Sequence, residues 1–180
     1  MEKHIILNNT GASKNININK NITKRLITNN ERWNFGVHDF SFENQLKIIE
    51  QIHDFVINDN IKLSNTLLFV LQLLKNKIYG YYYQDMKKNK YNSIEFVSLK
   101  YILETLLECN MECFYCNQKV QIIYENVREP KQWSLERIDN EYGHNNTNVV
   151  IACLQCNLKR KTMYHERYLF TKQMQIIKHK

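Results

Sequence analysis

The sequence predicts an α+β fold in which an N-terminal helical bundle precedes a small ββα unit held by cysteines. Between about residues 40 and 110, apolar residues recur at the spacing of amphipathic helices. After Glu108 the spacing shortens to strand-like alternation, and two Cys-x-x-Cys pairs appear. We therefore predict a tail over 1–32, a helical domain over 33–110 and a metal-held domain over 111–180.

The composition indicates where the protein resides and what kind of partner it binds. No apolar run approaches the roughly 18 residues that a membrane span needs, and the N-terminus lacks the apolar core of a signal peptide. We therefore expect an intracellular protein of the cytoplasm or nucleus, with no membrane partner. The formal net charge of +7 favours a polyanionic partner, although many basic proteins bind no nucleic acid.

The tail over 1–32 is rich in Asn, Lys and Ile, as in "KNININKNITK". Such a segment buries too little apolar surface to offset its ordering entropy, so we predict disorder. An AT-rich genome, such as that of an AT-rich virus, would account for the bias. An arm that contacts DNA or RNA is the functional alternative.

Three helices are predicted between the tail and the cysteines. Each prediction combines a serine start signal with an apolar stripe. The helices lie within 41–58, 64–83 and 93–108, with Ser41, Ser64 and Ser93 as their start signals. The stripes of the first two contain Leu46, Ile49, Ile52 and Val56, and Leu67, Leu71, Leu74 and Ile78.

The two Cys-x-x-Cys pairs are Cys113 with Cys116 and Cys153 with Cys156. In a reducing compartment such pairs are more often metal ligands than disulfides. Four thiolates form a closed tetrahedral Zn²⁺ site, which leaves no position for substrate, so this metal would be structural. A redox pair would instead need one Cys-x-x-Cys in a βαβ context. Cys109 is left over and is predicted to be a buried thiol.

Strand-like stretches lie between the pairs. They cover 119–127, 132–139 and 148–152, with a turn over 140–145 between the last two. A helix is then expected to begin at Cys153 and continue to about residue 170. The predicted order is therefore a cysteine knuckle, a β-hairpin and a helix that opens at the second knuckle.

That order, with the segments "CFYC", "SLERIDN", "GHN", "NVVIAC" and "CLQCNLKRK", resembles the treble-clef zinc domain of HNH (ββα-metal, His-Me finger) endonucleases. The resemblance covers about residues 111–165 and is to an ERIDN-type variant of phage and large-virus proteins. It implies a nuclease that acts on nucleic acid, most simply DNA. It also implies structural Zn²⁺ together with a catalytic Mg²⁺ or Mn²⁺.

The resemblance also implies roles for individual residues. Asn148 matches the Asn that braces the loop, Asn157 matches the final His/Asn that binds the catalytic metal, and Glu136 matches the metal-binding acid. Arg137 occupies the position of the general-base His. Because arginine stays protonated, it cannot take a proton from water.

Two arrangements would repair this departure. His144 in the loop of the hairpin could serve as the base. Alternatively, Asp139 could be the metal acid, with water activated by metal and carboxylate alone. The backbone phosphates of the nucleic acid would be held by Arg137, Lys159, Arg160 and Lys161.

Other functions remain open for the same residues. The chain could be a zinc module that binds DNA or RNA without cutting it, or a zinc-held protein-interaction domain. Under these alternatives Glu136, Arg137 and Asp139 form surface ion pairs or turns, and His144 is solvated.

Overall fold

The computed structural model describes residue 26, residues 35–58 and residues 61–174. The predicted disordered tail therefore lies outside the described residues, apart from Leu26. The described residues form five α-helices and a two-stranded sheet, which confirms the α+β class. After a 3-10 helix (Val37–Phe40), the elements are α1 (Phe42–Ile57), α2 (Asn65–Lys87), α3 (Leu99–Glu108), β1 (Trp133–Arg137), β2 (Val149–Cys153), α4 (Leu154–Arg160) and α5 (His165–Gln173).

The first two helices begin at the predicted serines. The Ser41 hydroxyl accepts the backbone N–H of Asn44 at 3.3 Å, and the Ser64 hydroxyl accepts that of Leu67 at 3.3 Å. Each bond satisfies a donor that the first helical turn leaves without a partner. The predicted stripes face the protein interior, and their central residues Ile49, Ile52, Leu71 and Leu74 are buried.

The third helix begins later than the sequence predicts. It starts after Ser98, whose hydroxyl accepts the backbone N–H of Tyr101 at 3.1 Å. The backbone before it pairs with the distant loop instead, because Phe96 bridges Asn145 and the N–H of Val97 donates to the carbonyl of His144 at 3.0 Å. Ser93 is therefore not the N-cap, and the reason is a tertiary contact.

The sheet is a β-hairpin. Strands β1 and β2 are antiparallel, with Trp133 opposite Cys153 and Glu136 opposite Val150. The predicted strand over 119–127 is not a strand and makes only isolated bridges, such as Gln121 to Gln132.

The helix predicted from Cys153 onward is broken in two. It ends at Arg160, and Lys161 takes a left-handed φ of 53° before α5 begins at His165. Arg160 turns its guanidinium back onto the end of β1, where it donates to the carbonyl of Ile138 at 2.7 Å. The sequence here contains no glycine, so nothing local predicts the break.

One buried cluster joins the helices to the cysteine-bearing region. It contains Ile49 and Leu103 from the helices together with Tyr115, Leu135 and Ile151 from the region that follows. The helical region therefore packs directly against the hairpin. Within the described ranges, no helix is both long and apolar enough to cross a membrane.

Helix α2 contacts the hairpin through one face. Lys77, Tyr81 and Asp85 are spaced four residues apart, so they lie on one side of the helix. The Lys77 ammonium donates to the carbonyl of Trp133, the Tyr81 hydroxyl accepts the N–H of Leu135 at 2.9 Å, and Asp85 reaches the loop after β1. Polar contacts thus hold α2 alongside β1.

A buried glutamine connects α1 to the segment before β1. Gln45 is 1% exposed, and its side-chain oxygen accepts the N–H groups of Ile122 at 2.7 Å and Ile123 at 2.9 Å. Its side-chain nitrogen donates to the carbonyl of Phe40 at 3.0 Å. Gln45 therefore satisfies two backbone donors that no strand ladder serves.

The substitution Gln45→Ala is expected to lower the free energy of unfolding by about 2–5 kcal/mol, because two buried N–H groups lose their acceptor. Urea denaturation checks this. The control is Gln51→Ala on the exposed side of the same helix, which should change stability by less than about 0.5 kcal/mol. Equal effects of the two substitutions would contradict the role given to Gln45.

Candidate functional site

Four cysteines converge at the junction of the hairpin and α4. The sulfurs of Cys113, Cys116, Cys153 and Cys156 all lie within 4.8 Å of one another, and the Cys116 and Cys153 sulfurs are 3.9 Å apart. A tetrahedral Zn²⁺ site with Zn–S bonds of about 2.3 Å has sulfur–sulfur edges of about 3.8 Å. The group can therefore hold a metal ion such as Zn²⁺.

Backbone bonds bring the two cysteine pairs together. The turn after Cys113 closes through a bond from the N–H of Asn117 to the Cys113 carbonyl at 2.9 Å, with Asn117 at φ 55°. The N–H of Phe114 donates to the carbonyl of Ile151 at 2.9 Å, which fastens the first pair to β2. Cys153 caps α4, and its sulfur accepts the N–H of Cys156 at 3.4 Å.

The four sulfurs differ in their affinity for a proton. A side-chain hydrogen bond from Cys153 lowers the pKa of Cys113 to about 4. The same contact and burial raise the pKa of Cys153, and burial raises the pKa of Cys156 to about 11. Thiolates are the form that binds Zn²⁺. Cys109 stands apart from the group, and its thiol donates to the carbonyl of Leu106 at 3.5 Å.

A cleft of about 430 Å³ lies between α2 on one side and β1 with α4 on the other. We call it the α2–hairpin cleft. Its walls contain Lys77, Tyr81, Gln84, Lys88, Gln132, Ser134, Leu135, Glu136, Arg137, Asn140, His144, Leu154, Asn157, Leu158 and Lys161. Five of the residues singled out from the sequence thus share one cavity: Glu136, Arg137, His144, Asn157 and Lys161.

His144 is held by an aspartate of α2 that no motif in the sequence indicates. Asp85 is fully buried in α2, and its carboxylate accepts the backbone N–H of His144 at 2.6 Å and faces the His144 Nδ1 at 2.8 Å. The Tyr81 ring packs on the imidazole, with centroids 4.5 Å apart. An ionised carboxylate at Nδ1 requires the proton there, which leaves Nε2 as the acceptor.

The environment keeps the imidazole neutral. Burial lowers the pKa of His144 below its ordinary value of 6.5, with a further lowering by Arg137 and Lys88, against the opposing effect of Asp85. No group in the described part of the chain bonds to Nε2. His144 therefore presents a neutral, oriented imidazole to the α2–hairpin cleft.

Gly143 permits this contact. A Cβ at this position would lie 2.3 Å from the carbonyl oxygen of Lys90 and 2.8 Å from Asp85 Oδ2. Any side chain would therefore force the loop away from α2. The glycine is needed for the close approach of the two backbones.

Asn148 ties together the two ends of the loop between the strands. Its side-chain oxygen accepts the N–H of Asp139 at 2.9 Å, and its side-chain nitrogen donates to the carbonyls of Asp139 and Gly143, each at 2.9 Å. Both N–H groups of the amide donate, and its oxygen accepts one bond. Asn148 therefore shapes the loop, and it does not line the cleft.

The hydrogen-bond partners of Asn157 determine which way its side-chain amide faces. Its Nδ2 donates to the Ser134 hydroxyl at 3.2 Å and to the Leu135 carbonyl at 3.1 Å. A carbonyl can only accept, so the nitrogen must face β1 and the side-chain oxygen must face away from it. In the described chain that oxygen makes no hydrogen bond, which leaves it able to bind a cation.

Glu136 forms a buried ion pair with Arg160. The Arg160 guanidinium bonds one carboxylate oxygen of Glu136 and also the carbonyl of Arg137 at 2.8 Å. Burial raises the pKa of Glu136, although the pairing with Arg160 opposes the shift. Arg160, predicted from the sequence to contact phosphate, instead points into the protein and is 2% exposed.

Two further residues predicted from the sequence lie outside the α2–hairpin cleft. Asp139 caps a turn, and its Oδ1 accepts the N–H of Glu141 at 2.8 Å. Lys159 is exposed on α4 but does not line the cavity.

The α2–hairpin cleft is basic. Lys77, Lys88, Arg137 and Lys161 line it, against the single carboxylate of Glu136. Burial lowers the pKa of Lys77 to about 7, so that amine is only partly charged at neutral pH. The excess of positive over negative side chains in the cleft favours an anionic ligand such as a phosphodiester.

No family model matches this chain, and neither a curated protein nor a solved structure shows significant similarity to it.

The substitution Cys156→Ser is expected to abolish stoichiometric metal binding and to destabilise the fold, because one ligand of the four-sulfur group is lost. Elemental analysis of the purified protein and thermal unfolding check this. Cys109→Ser is the control, since its sulfur lies outside the group. Equal metal content in the two variants would contradict the assigned ligand set.

Proposed function

We propose that this protein is a metal-dependent endonuclease of the HNH type, which hydrolyses phosphodiester bonds in nucleic acid. The observation that carries the proposal is the α2–hairpin cleft, where His144, Glu136 and Asn157 line one basic cavity. His144 is neutral, and Asp85 orients it with Nε2 available. A general base of a nuclease needs this combination.

The arrangement of elements supports the same proposal. The first cysteine pair precedes the β1–β2 hairpin, and α4 opens at the second pair. We infer a treble-clef unit from this order. The four sulfurs would hold structural Zn²⁺, which stabilises the junction that positions Asn157 one residue after Cys156.

The chemistry divides among the residues of the cleft. The oxygens of Asn157 and Glu136 suit a hard cation such as Mg²⁺ or Mn²⁺, which when bound polarises the scissile phosphate. His144 Nε2 takes the proton of the attacking water, and the Asp85 carboxylate stabilises the imidazolium that results. Arg137 and Lys161 hold the phosphates beside the scissile bond.

This assignment replaces the histidine that is absent at Arg137. The HNH resemblance places its base at the end of the first strand, whereas here the base comes from the loop and its orienting carboxylate from α2. Asp139, the alternative metal acid, does not line the cavity, whereas Glu136 does. We therefore assign the acid to Glu136.

A binding module that does not cut nucleic acid is the second candidate. The observation that favours it is the Glu136–Arg160 pair, which occupies one oxygen of the carboxylate and offsets its charge. A neutralised acid binds a divalent cation weakly.

Purified protein with its structural metal bound is expected to nick supercoiled plasmid or to cut unstructured DNA or RNA when Mg²⁺ or Mn²⁺ is added. His144→Ala should lower the rate by roughly 10²–10⁴-fold, because it removes the base. His38→Ala, at an exposed histidine, is the control. Salt-dependent binding without cleavage of any substrate would leave the binding module as the function.

The cleavage rate is expected to fall with decreasing pH only below the ordinary histidine value of 6.5, because burial lowers the pKa of His144 and the base form persists there. Asp85→Asn should move this acid limb to still lower pH, since the carboxylate that favours the imidazolium is removed, and should reduce kcat. A pH–rate profile checks both expectations. An unshifted limb in Asp85→Asn would exclude His144 as the group that titrates.

A further inference from the structure

We propose that the α2–hairpin cleft accepts a single, unpaired polynucleotide strand and excludes a duplex. The inference rests on the proposed nuclease function, which it deepens by naming the class of substrate. It depends on three features of the described chain: a fixed wall formed by α2, the recessed position of the reactive side chains, and basic residues on both walls.

The C-terminal half of α2, which forms the wall, is fastened at three points. Lys77, Tyr81 and Asp85 each bond to the hairpin or its loop, at Trp133, Leu135 and His144 respectively. At the end of this wall a Cβ on Gly143 would lie 2.3 Å from the Lys90 carbonyl oxygen, so the two backbones touch. Opening the wall would leave buried polar groups without partners, which is unfavourable.

Two of the reactive side chains that line the cleft are almost completely buried. Glu136 is 6% exposed and His144 is 4% exposed. The cavity volume of about 430 Å³ falls within the roughly 300–1,000 Å³ of pockets that enclose drug-sized ligands. A cavity of this size holds about one nucleotide. A phosphate of a duplex could enter only together with the complementary strand.

Enzymes that act on a base within a recessed pocket take a single-stranded substrate or extrude the target nucleotide from the duplex. Extrusion moves a base, but cleavage here requires the phosphate itself to reach the water that His144 activates. An unpaired strand can bend so that one phosphate enters between α2 and α4. A base-paired strand cannot bend in this way without separating from its complementary strand.

Basic residues stand on both walls of the cleft. Lys88 follows α2 on one side, and Lys161 follows α4 on the other. A strand lying between them would contact both, as in grooves that track a nucleic-acid backbone. The aromatic residue of the lining, Tyr81, is buried against His144, so it offers no stacking surface and the cleft should tolerate many base sequences.

The binding experiment uses the full chain with its structural metal and without added Mg²⁺ or Mn²⁺. Fluorescence anisotropy compares a labelled single-stranded DNA, an RNA of the same sequence and the corresponding blunt duplexes. We expect at least tenfold tighter binding of one or both single strands. Duplex affinity equal to or higher than that of both single strands overturns the proposal, and the DNA and RNA arms identify the sugar.

Substitutions test the route of the strand. Lys88→Ala and Lys161→Ala should each weaken single-strand binding and reduce the slope of log affinity against log salt by about 0.7. Lys87→Ala is the control, because Lys87 is an exposed lysine of α2 outside the cleft. If Lys88→Ala behaves like Lys87→Ala, the strand does not pass between the walls and the proposal fails.

Cleavage separates this inference from the nuclease proposal. With Mg²⁺ or Mn²⁺ present, a labelled strand should be cut at least tenfold faster when unpaired or in a flap than within a duplex. Duplex cleavage at the same rate overturns the single-strand inference and leaves the nuclease intact. A binding preference for single strands with no cleavage overturns the nuclease and supports the single-strand cleft.

Discussion

The buried contact between Asp85 and His144 fastens the C-terminal part of α2 to the loop between the strands, and the geometry of the candidate site depends on it. Asp85 is fully buried in α2, and a carboxylate in that position must be satisfied by strong donors. The backbone and the ring of His144 supply them. The same contact holds the loop against α2 and orients the imidazole, and the bonds of Lys77 and Tyr81 to β1 hold the rest of this face of α2 beside the hairpin. The α2–hairpin cleft is the space that this docking leaves between them.

The polar residues of the hairpin divide into those that build the loop and those that face the cavity. Asn148, Arg160 and Asp139 each hydrogen-bond backbone groups of the hairpin or its loop, and Arg160 also bonds the Glu136 carboxylate. In His144 and Asn157, one polar side-chain atom is hydrogen-bonded within the described chain and the other has no hydrogen-bond partner there. Whether a polar atom is left without a partner therefore indicates a reactive or a structural role better than residue type does. Asn148 and Asn157 are the same amino acid, yet they have different roles.

Local patterns in the sequence correctly predicted those structural features that depend on residues close together in the chain. The serine caps of α1 and α2 are correct because capping involves donors only three residues away. The late start of α3 could not be predicted, because Phe96 and Val97 pair with a loop about fifty residues further along. Gln45 is similar: a polar residue beside an apolar stripe is buried because two distant N–H groups need its oxygen.

The sequence by itself determined the α+β class, the two helix starts and the four cysteines that converge on one potential metal site. Spacing along the chain carries that information, because two cysteines of one turn and the apolar residues of one helix face meet through local geometry. Tertiary structure alone decided that Asp85 orients His144, that Arg160 turns inward to Glu136, and that α2 forms a wall of the cleft. These contacts join residues far apart in the chain, and the requirement to satisfy buried polar groups selects them only once the elements have packed.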